Sequence, residues 1–224
     1  MEMECKQIFS LSSTSHRLTQ RRMWGVENSG DNFVRDISGK QTDIHIDNPA
    51  EKLNYIGDIS KPNDQWYGYP TCFTVWKPSL FPDKKFAVGD QFVVKPNATF
   101  DDAACEKKST PPRLSFQAHS APIDGVFDKA FSNMYVTFHG SWNRSPATGF
   151  KVIQIPFKNG TKGYEPTAAA NSDTGYTDIW FNANTGSCGG SQCFRPTGIV
   201  ADSSDRLYVA SDAGEGEIFI LGKE

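Results

Sequence analysis

The chain is predicted to be all-β and a β-propeller. Three observations carry that expectation. Short runs rich in Val, Ile, Tyr, Phe and Thr lie between recurrent Gly and Pro, which is the pattern of many short strands joined by turns. No amphipathic stretch is long enough for a substantial helix, and Asn48 to Leu53 is the best candidate for a single helical turn. The third observation is an internal repeat.

The segment PIDGVFDKAFSNMYVTFHG, Pro122 to Gly140, resembles PTGIVADSSDRLYVASDAG, Pro196 to Gly214, position by position through its second half. Each copy then returns with an alternating strand, FKVIQIPF at Phe150 to Phe157 and GEIFILG at Gly216 to Gly222. RMWGVENSGD, Arg22 to Asp31, is a third, partial copy without a recognisable strand before it. A small twisted sheet cannot bury both faces alone, so repeated sheets of this kind pack face to face as blades of about 40 to 50 residues. The copies supply an incomplete ring of roughly three to four blades at that length. A β-sandwich with similar hairpins is the competing reading of the strand pattern alone.

Composition agrees with a packed domain, since 38% of residues are hydrophobic, 12% aromatic and only 22% charged. A net charge of -3 with scattered Lys and Arg argues against nucleic acid, because the single basic cluster is Arg17 to Arg22 with Lys6 nearby. No run of about 18 apolar residues exists to span a bilayer. The opening MEMECKQIFSLSSTSH lacks a basic start followed by an apolar stretch, so no export signal is expected in it.

Four of the five cysteines fall into two plausible disulfide pairs, Cys72 with Cys105 and Cys188 with Cys193, leaving Cys5 single. Zinc is the alternative, but CGGSQC lies outside the usual ligand spacing. Asn-X-Ser/Thr acceptors at Asn97, Asn143 and Asn159 agree with a secreted origin.

Six runs then carry a resemblance: WGVENSGDNF (Trp24 to Phe33), TDIHIDNPAEKLNYIGD (Thr42 to Asp58), WYGYPTCFTVW (Trp66 to Trp76), FQAHSAP (Phe116 to Pro122), FHGSWNRSPATGFKVIQIPF (Phe138 to Phe157) and FRPTGIVADSSDRLYVASDAGEGEIFIL (Phe194 to Leu221). Together they resemble the fungal glucose/sorbosone dehydrogenases and pyranose dehydrogenase domains that use pyrroloquinoline quinone. The resemblance covers residues 23–224 as the C-terminal part of a propeller and leaves residues 1–22 unmatched. It implies a six-bladed fold, an extracellular location, a sugar substrate, and an electron acceptor outside the chain such as a cytochrome domain. It also implies a quinone and a calcium ion at the mouth of the central channel. Family members carry an Arg-Asn pair just before the WGVEN strand and a presumed histidine base further upstream. Here the stretch reads HRLTQRRM without the Asn, so the chain is expected to hold an incomplete catalytic site.

A tricarboxylate cofactor needs fixed cations, and arginine binds carboxylates bidentately. Arg144 in HGSWNR and Arg195 in CFRPTG are the expected cofactor arginines by resemblance, with Trp142 and Asn143 flanking the quinone. If Asn143 faces the cofactor, its glycosylation motif is silent. The Asn28 to Asp31 loop matches the segment whose backbone carbonyls bind calcium, with Ser29 and Gly30 as the expected ligands; by residue type alone it is simply a turn. Tyr67 is expected to line the sugar pocket. His119 is the one histidine considered as a proton acceptor, His139 is expected to hold loop shape, and His45 and His16 receive no role.

Overall fold

The computed structural model describes residues 7–10, 22–160, 163–188 and 193–222; Cys5, His16 and most of the unmatched 1–22 segment lie outside them. The first half contains β1 (Gln7–Ser10), β2 (Arg22–Glu27), β3 (Val34–Ile37), β4 (Lys40–Asp43), β5 (Glu51–Asp58), β6 (Cys72–Thr74), β7 (Gln91–Val93), the helix α1 (Asp102–Lys108) and β8 (Leu114–Phe116). The second half contains β9 (Pro122–Phe127), β10 (Asn133–Phe138), β11 (Lys151–Gly160), β12 (Gly163–Pro166), β13 (Thr177–Phe181), β14 (Pro196–Ala201), β15 (Leu207–Ser211) and β16 (Glu217–Leu221). The protein is mostly β, as expected.

Three antiparallel sheets form the frame, ordered β1-β2-β5-β8, β12-β11-β10-β9 with β13 also on β11, and β14-β15-β16. The three repeat copies become β2, β10 and β15, each an inner strand of its own sheet. Alternation decides how the sheets stack. On β10 and β11, Met134, Val136, Phe138, Ile153, Ile155 and Phe157 face Trp24, Val26, Leu53, Leu114 and Phe116 of the first sheet. The intervening Tyr135 and Val152 face Ile199, Leu207 and Val209 of the third. The middle sheet is therefore buried on both faces, which a two-layer sandwich does not provide. Polar ties reinforce the second contact, with Thr137 Oγ1 donating to Thr197 O at 2.8 Å and Ile199 N donating to Asp124 Oδ2 at 3.1 Å.

Between β5 and β8 the chain leaves the sheet to build a satellite of β6, β7 and α1. Its core is Phe33, Ile44, Phe73, Val75, Phe81, Phe86 and Phe92. Arg35 is buried there between Asp83 and Asp102, at 2.6 and 2.7 Å. Such a charge persists in an apolar setting because both acids and the Val93 carbonyl satisfy it. The helix is a departure from the sequence expectation. Asp101 caps it by accepting from Ala104 N at 2.9 Å, and Lys107 and Lys108 close its last turn. The expected turn over Asn48 to Leu53 is not helical. Glu51 to Leu53 instead pair with Phe116 to Leu114, and a three-residue 3-10 turn forms earlier, at His45–Asp47.

Both expected disulfides are present, Cys72–Cys105 joining β6 to α1 and Cys188–Cys193 closing a short turn. Their partners are 33 and 5 residues apart, so loop-closure entropy makes the first the stronger staple. Replacing Cys72 and Cys105 with serine is expected to lower unfolding free energy by about 3 to 4 kcal/mol, against about 2 kcal/mol for the second pair. Urea melts of the two double variants check both the order and the size.

Candidate functional site

Residues 28–32, 45–47, 117–121 and 139–149 meet where β2, β8 and β10 end. The 45–47 turn is fixed from the satellite: Ile44 is fully buried in that core, and Asn48 Oδ1 accepts from Trp76 N at 2.8 Å and Lys77 N at 3.1 Å. The 139–149 loop is clamped at its base. Gly140 and Gly149 have φ of 102° and 83°, and a Cβ would strike the Phe150 ring at 2.5 Å or Ser120 O at 2.5 Å.

Asp31 is the hub. Its Oδ1 lies 2.9 Å from His119 Nδ1, and its Oδ2 accepts from Trp142 Nε1 at 3.1 Å. The other ring nitrogen, His119 Nε2, donates to His45 O at 2.5 Å. His45 in turn accepts from Asn32 N at Nδ1 (2.9 Å), so its Nε2 carries the proton and donates to Asn143 O at 3.0 Å. Arg144 completes the ring of contacts by donating from Nε to Ile46 O at 2.7 Å and pairing through Nη2 with Asp47 at 2.8 Å.

His119 is 5% exposed, and burial alone would depress its pKa; the Asp31 hydrogen bond, the His45 carbonyl and nearby Glu51 outweigh this and raise it. Burial likewise pushes Asp31 up, but His119, Asn143 and Trp142 bring it below the usual carboxylate value. His119 has φ of 62°, Ala121 55° and Asn32 59°, a left-handed backbone that costs about 1 kcal/mol or more per residue outside glycine. It persists because the surrounding contacts over-determine these turns.

Glu51 lies beneath this layer, 2% exposed, accepting from Ser29 N at 2.5 Å and from Ala121 N; burial pushes its carboxyl up to about 8. Arg195 belongs to an adjoining cluster, where its Nη2 donates to His139 Nδ1 at 3.1 Å while His139 Nε2 faces Asp212 at 2.9 Å. Tyr67 makes its contacts elsewhere. Its hydroxyl oxygen lies 3.0 Å from both Tyr55 O and Gln65 Oε1 and accepts from Asn63 Nδ2 at 3.1 Å.

The structure thus joins Ser29, His119, Trp142, Asn143 and Arg144 through short contacts, with Gly30 between Ser29 and Asp31. Sequence reasoning missed His45, Asp47, Glu51 and the Asp31 carboxylate. The one signal for Glu51 was two charges, Glu51 and Lys52, opening a strand whose neighbours are apolar.

Two observations bear on a ligand. Trp142 is 74% exposed although its indole N–H is anchored, and Asn143 Oδ1 is buried without a hydrogen-bond partner among the described residues. An anchored, open aromatic face suits a planar ring, and an unpaired buried oxygen calls for a donor or a cation.

Comparison with known proteins now places the chain. It matches the TrAA12-like family over residues 12–224 and belongs to that family. A Coprinopsis cinerea protein named pyrroloquinoline quinone-dependent pyranose dehydrogenase is 41% identical over 203 residues, which are 88% of this chain and 28% of the relative. A Hypocrea jecorina pyrroloquinoline quinone-dependent sugar dehydrogenase is 37% identical over 91% of this chain and 44% of its own length. The holo PQQ domain of the Coprinopsis cinerea pyranose dehydrogenase superposes with a TM-score of 0.84 at 40% identity, over 89% of this chain and 50% of that one. A calcium structure of a Trichoderma reesei family AA12 enzyme gives 0.82 at 36% identity, over 92% and 50%. The chain spans half the length of these solved structures or less of the relatives.

Because His119 is raised in the folded state, its contribution to stability is full below the ordinary value of about 6.5 and is lost as pH rises through the folded value. His119→Gln is therefore expected to lower the melting temperature most near pH 5.5 and progressively less toward about pH 8.5. Thermal melts of both proteins across that range check the convergence.

Proposed function

We propose that the chain forms part of a quinone- and calcium-dependent sugar dehydrogenase site. The observation that carries this reading is the open, anchored face of Trp142 beside the unpaired Asn143 Oδ1. Pyrroloquinoline quinone, when bound, accepts hydride from a sugar carbon. Trp142 and Asn143 would hold it, the first through its open ring face and the second through its unpaired amide oxygen. Arg144 and Arg195 supply charge to its carboxylates. Three of the five guanidinium N–H groups of Arg144 are engaged with Ile46 O, Pro146 O and Asp47, which leaves two for a ligand.

Calcium takes oxygen ligands, and the Ser29 and Gly30 carbonyls beside the Asp31 carboxylate are a donor set of the right hardness. Tyr67 offers a phenol and ring face to a pyranose. His119 holds Asp31 rather than accepting a substrate proton, since both its ring nitrogens already face acceptors. Proton removal falls to another group. Electrons pass to an external acceptor such as a cytochrome domain, and the two disulfides support an extracellular setting.

We further infer that the three stacked sheets are blades of a six-bladed ring. The outer face of the third sheet supports this, because Val200, Ile218 and Ile220 are 61%, 74% and 59% exposed and alternate with the inward-facing Ile199, Phe219 and Leu221. That is the face a following blade covers.

Titrating the purified chain with pyrroloquinoline quinone, and following tryptophan fluorescence, tests the reading. Saturable binding that requires calcium is expected, with Trp142→Ala weakening it roughly tenfold, equivalent to about 1.4 kcal/mol. Binding that ignores calcium, or a folded chain that binds no quinone, contradicts it.

A further inference from the structure

Glu51 is a buried carboxyl group with no role among the residues that reach a ligand. Keeping one costs several kcal/mol unless the charge is compensated, and the neighbouring Glu27 is compensated by Lys52 at 2.6 Å. Among the described ion pairs Glu51 has no such direct cation, and His119 acts on it only at a distance. What it has are two backbone N–H groups from different loops, Ser29 N at 2.5 Å and Ala121 N. An apolar residue at this start of β5 would pack against the same sheet without that penalty, so the carboxylate is retained for what it holds.

Its position explains what that is. Across a trans peptide the N–H and C=O point opposite ways, so a carboxylate gripping Ser29 N–H turns the Asn28 carbonyl away and fixes the dihedrals at which the chain enters Ser29 and Gly30. Its hold on Ala121 locks the turn that carries His119, and His119 holds Asp31 on the far side of the same loop. The 28–31 segment is thereby pinned at both ends, from below by Glu51 and from the side by His119.

We propose that Glu51 is the positioning residue for the calcium cradle, setting the geometry of the Ser29–Gly30 carbonyls without touching the ion. This rests on the reading of that loop as the calcium site. Groups that orient a metal's ligands are worth roughly 10-fold to 100-fold in metal affinity.

The test is calorimetric titration of the chain with calcium alone, for the natural protein, Glu51→Gln and Glu51→Asp, with circular dichroism to verify folding. Glutamine keeps the length but opposes an amide N–H₂ to one of the two backbone donors. Aspartate keeps the carboxyl group but is one methylene short. Both are expected to remain folded and to weaken calcium binding roughly 10-fold or more. Amide exchange at Ser29 and Ala121 is expected to accelerate in both. Natural affinity in Glu51→Gln overturns the positioning role while leaving the calcium site intact. Natural affinity in Glu51→Asp alone overturns it in favour of a carboxyl effect that does not depend on gripping the two N–H groups. If the natural protein binds no calcium, the site reading fails and the proposal falls with it. Should Glu51→Gln not fold, Glu51→Asp with its exchange readout decides.

Discussion

Asp31 and His119 hold each other across 88 residues of sequence, and the whole loop layer is organised around that contact. Asp31 uses its second oxygen for Trp142, while His119 uses its second nitrogen for His45, so one ion pair fixes four loops. The pair survives partial burial because each partner shifts the other toward its charged form. Without it, two left-handed non-glycine turns at His119 and Ala121 would lose the contacts that offset their strain.

The sheets make this contact available. Stacking three antiparallel sheets brings the ends of β2, β8 and β10 to one side of the molecule, and the loops that follow them carry Asp31, His119, Trp142, Asn143 and Arg144. The middle sheet, apolar on both faces, sets how closely those ends approach. The satellite contributes the fourth loop, the 45–47 turn, by burying Ile44 and binding Asn48.

Sequence reasoning captured what periodicity and repetition encode. The strands Phe150 to Phe157 and Gly216 to Gly222 emerge as β11 and β16 because alternation is a local property. The cysteine pairs were legible because four of the five cysteines offer two plausible pairings. The helix at Asp102 was hidden by its length, and its Asp cap and Lys-Lys end are weak signals over seven residues. Asp31 and Glu51 escaped for a deeper reason. An Asp in a Ser-Gly turn looks like a turn former, and a Glu opening a strand looks solvent-facing; only the tertiary approach of loops distant in sequence gives either one its partners. His45 received no role because its contacts lie with Asn32, His119 and Asn143.

A charged Asp31–His119 pair organises the loop layer, and imidazole nitrogen NMR of His119 is the decisive experiment. At about pH 6.5 an ordinary histidine is half protonated. Both ring nitrogens of His119 are expected to carry protons at that pH, and Asp31→Asn is expected to remove one of them. A neutral His119 in the natural protein, with a bare Nδ1 or Nε2, would contradict it.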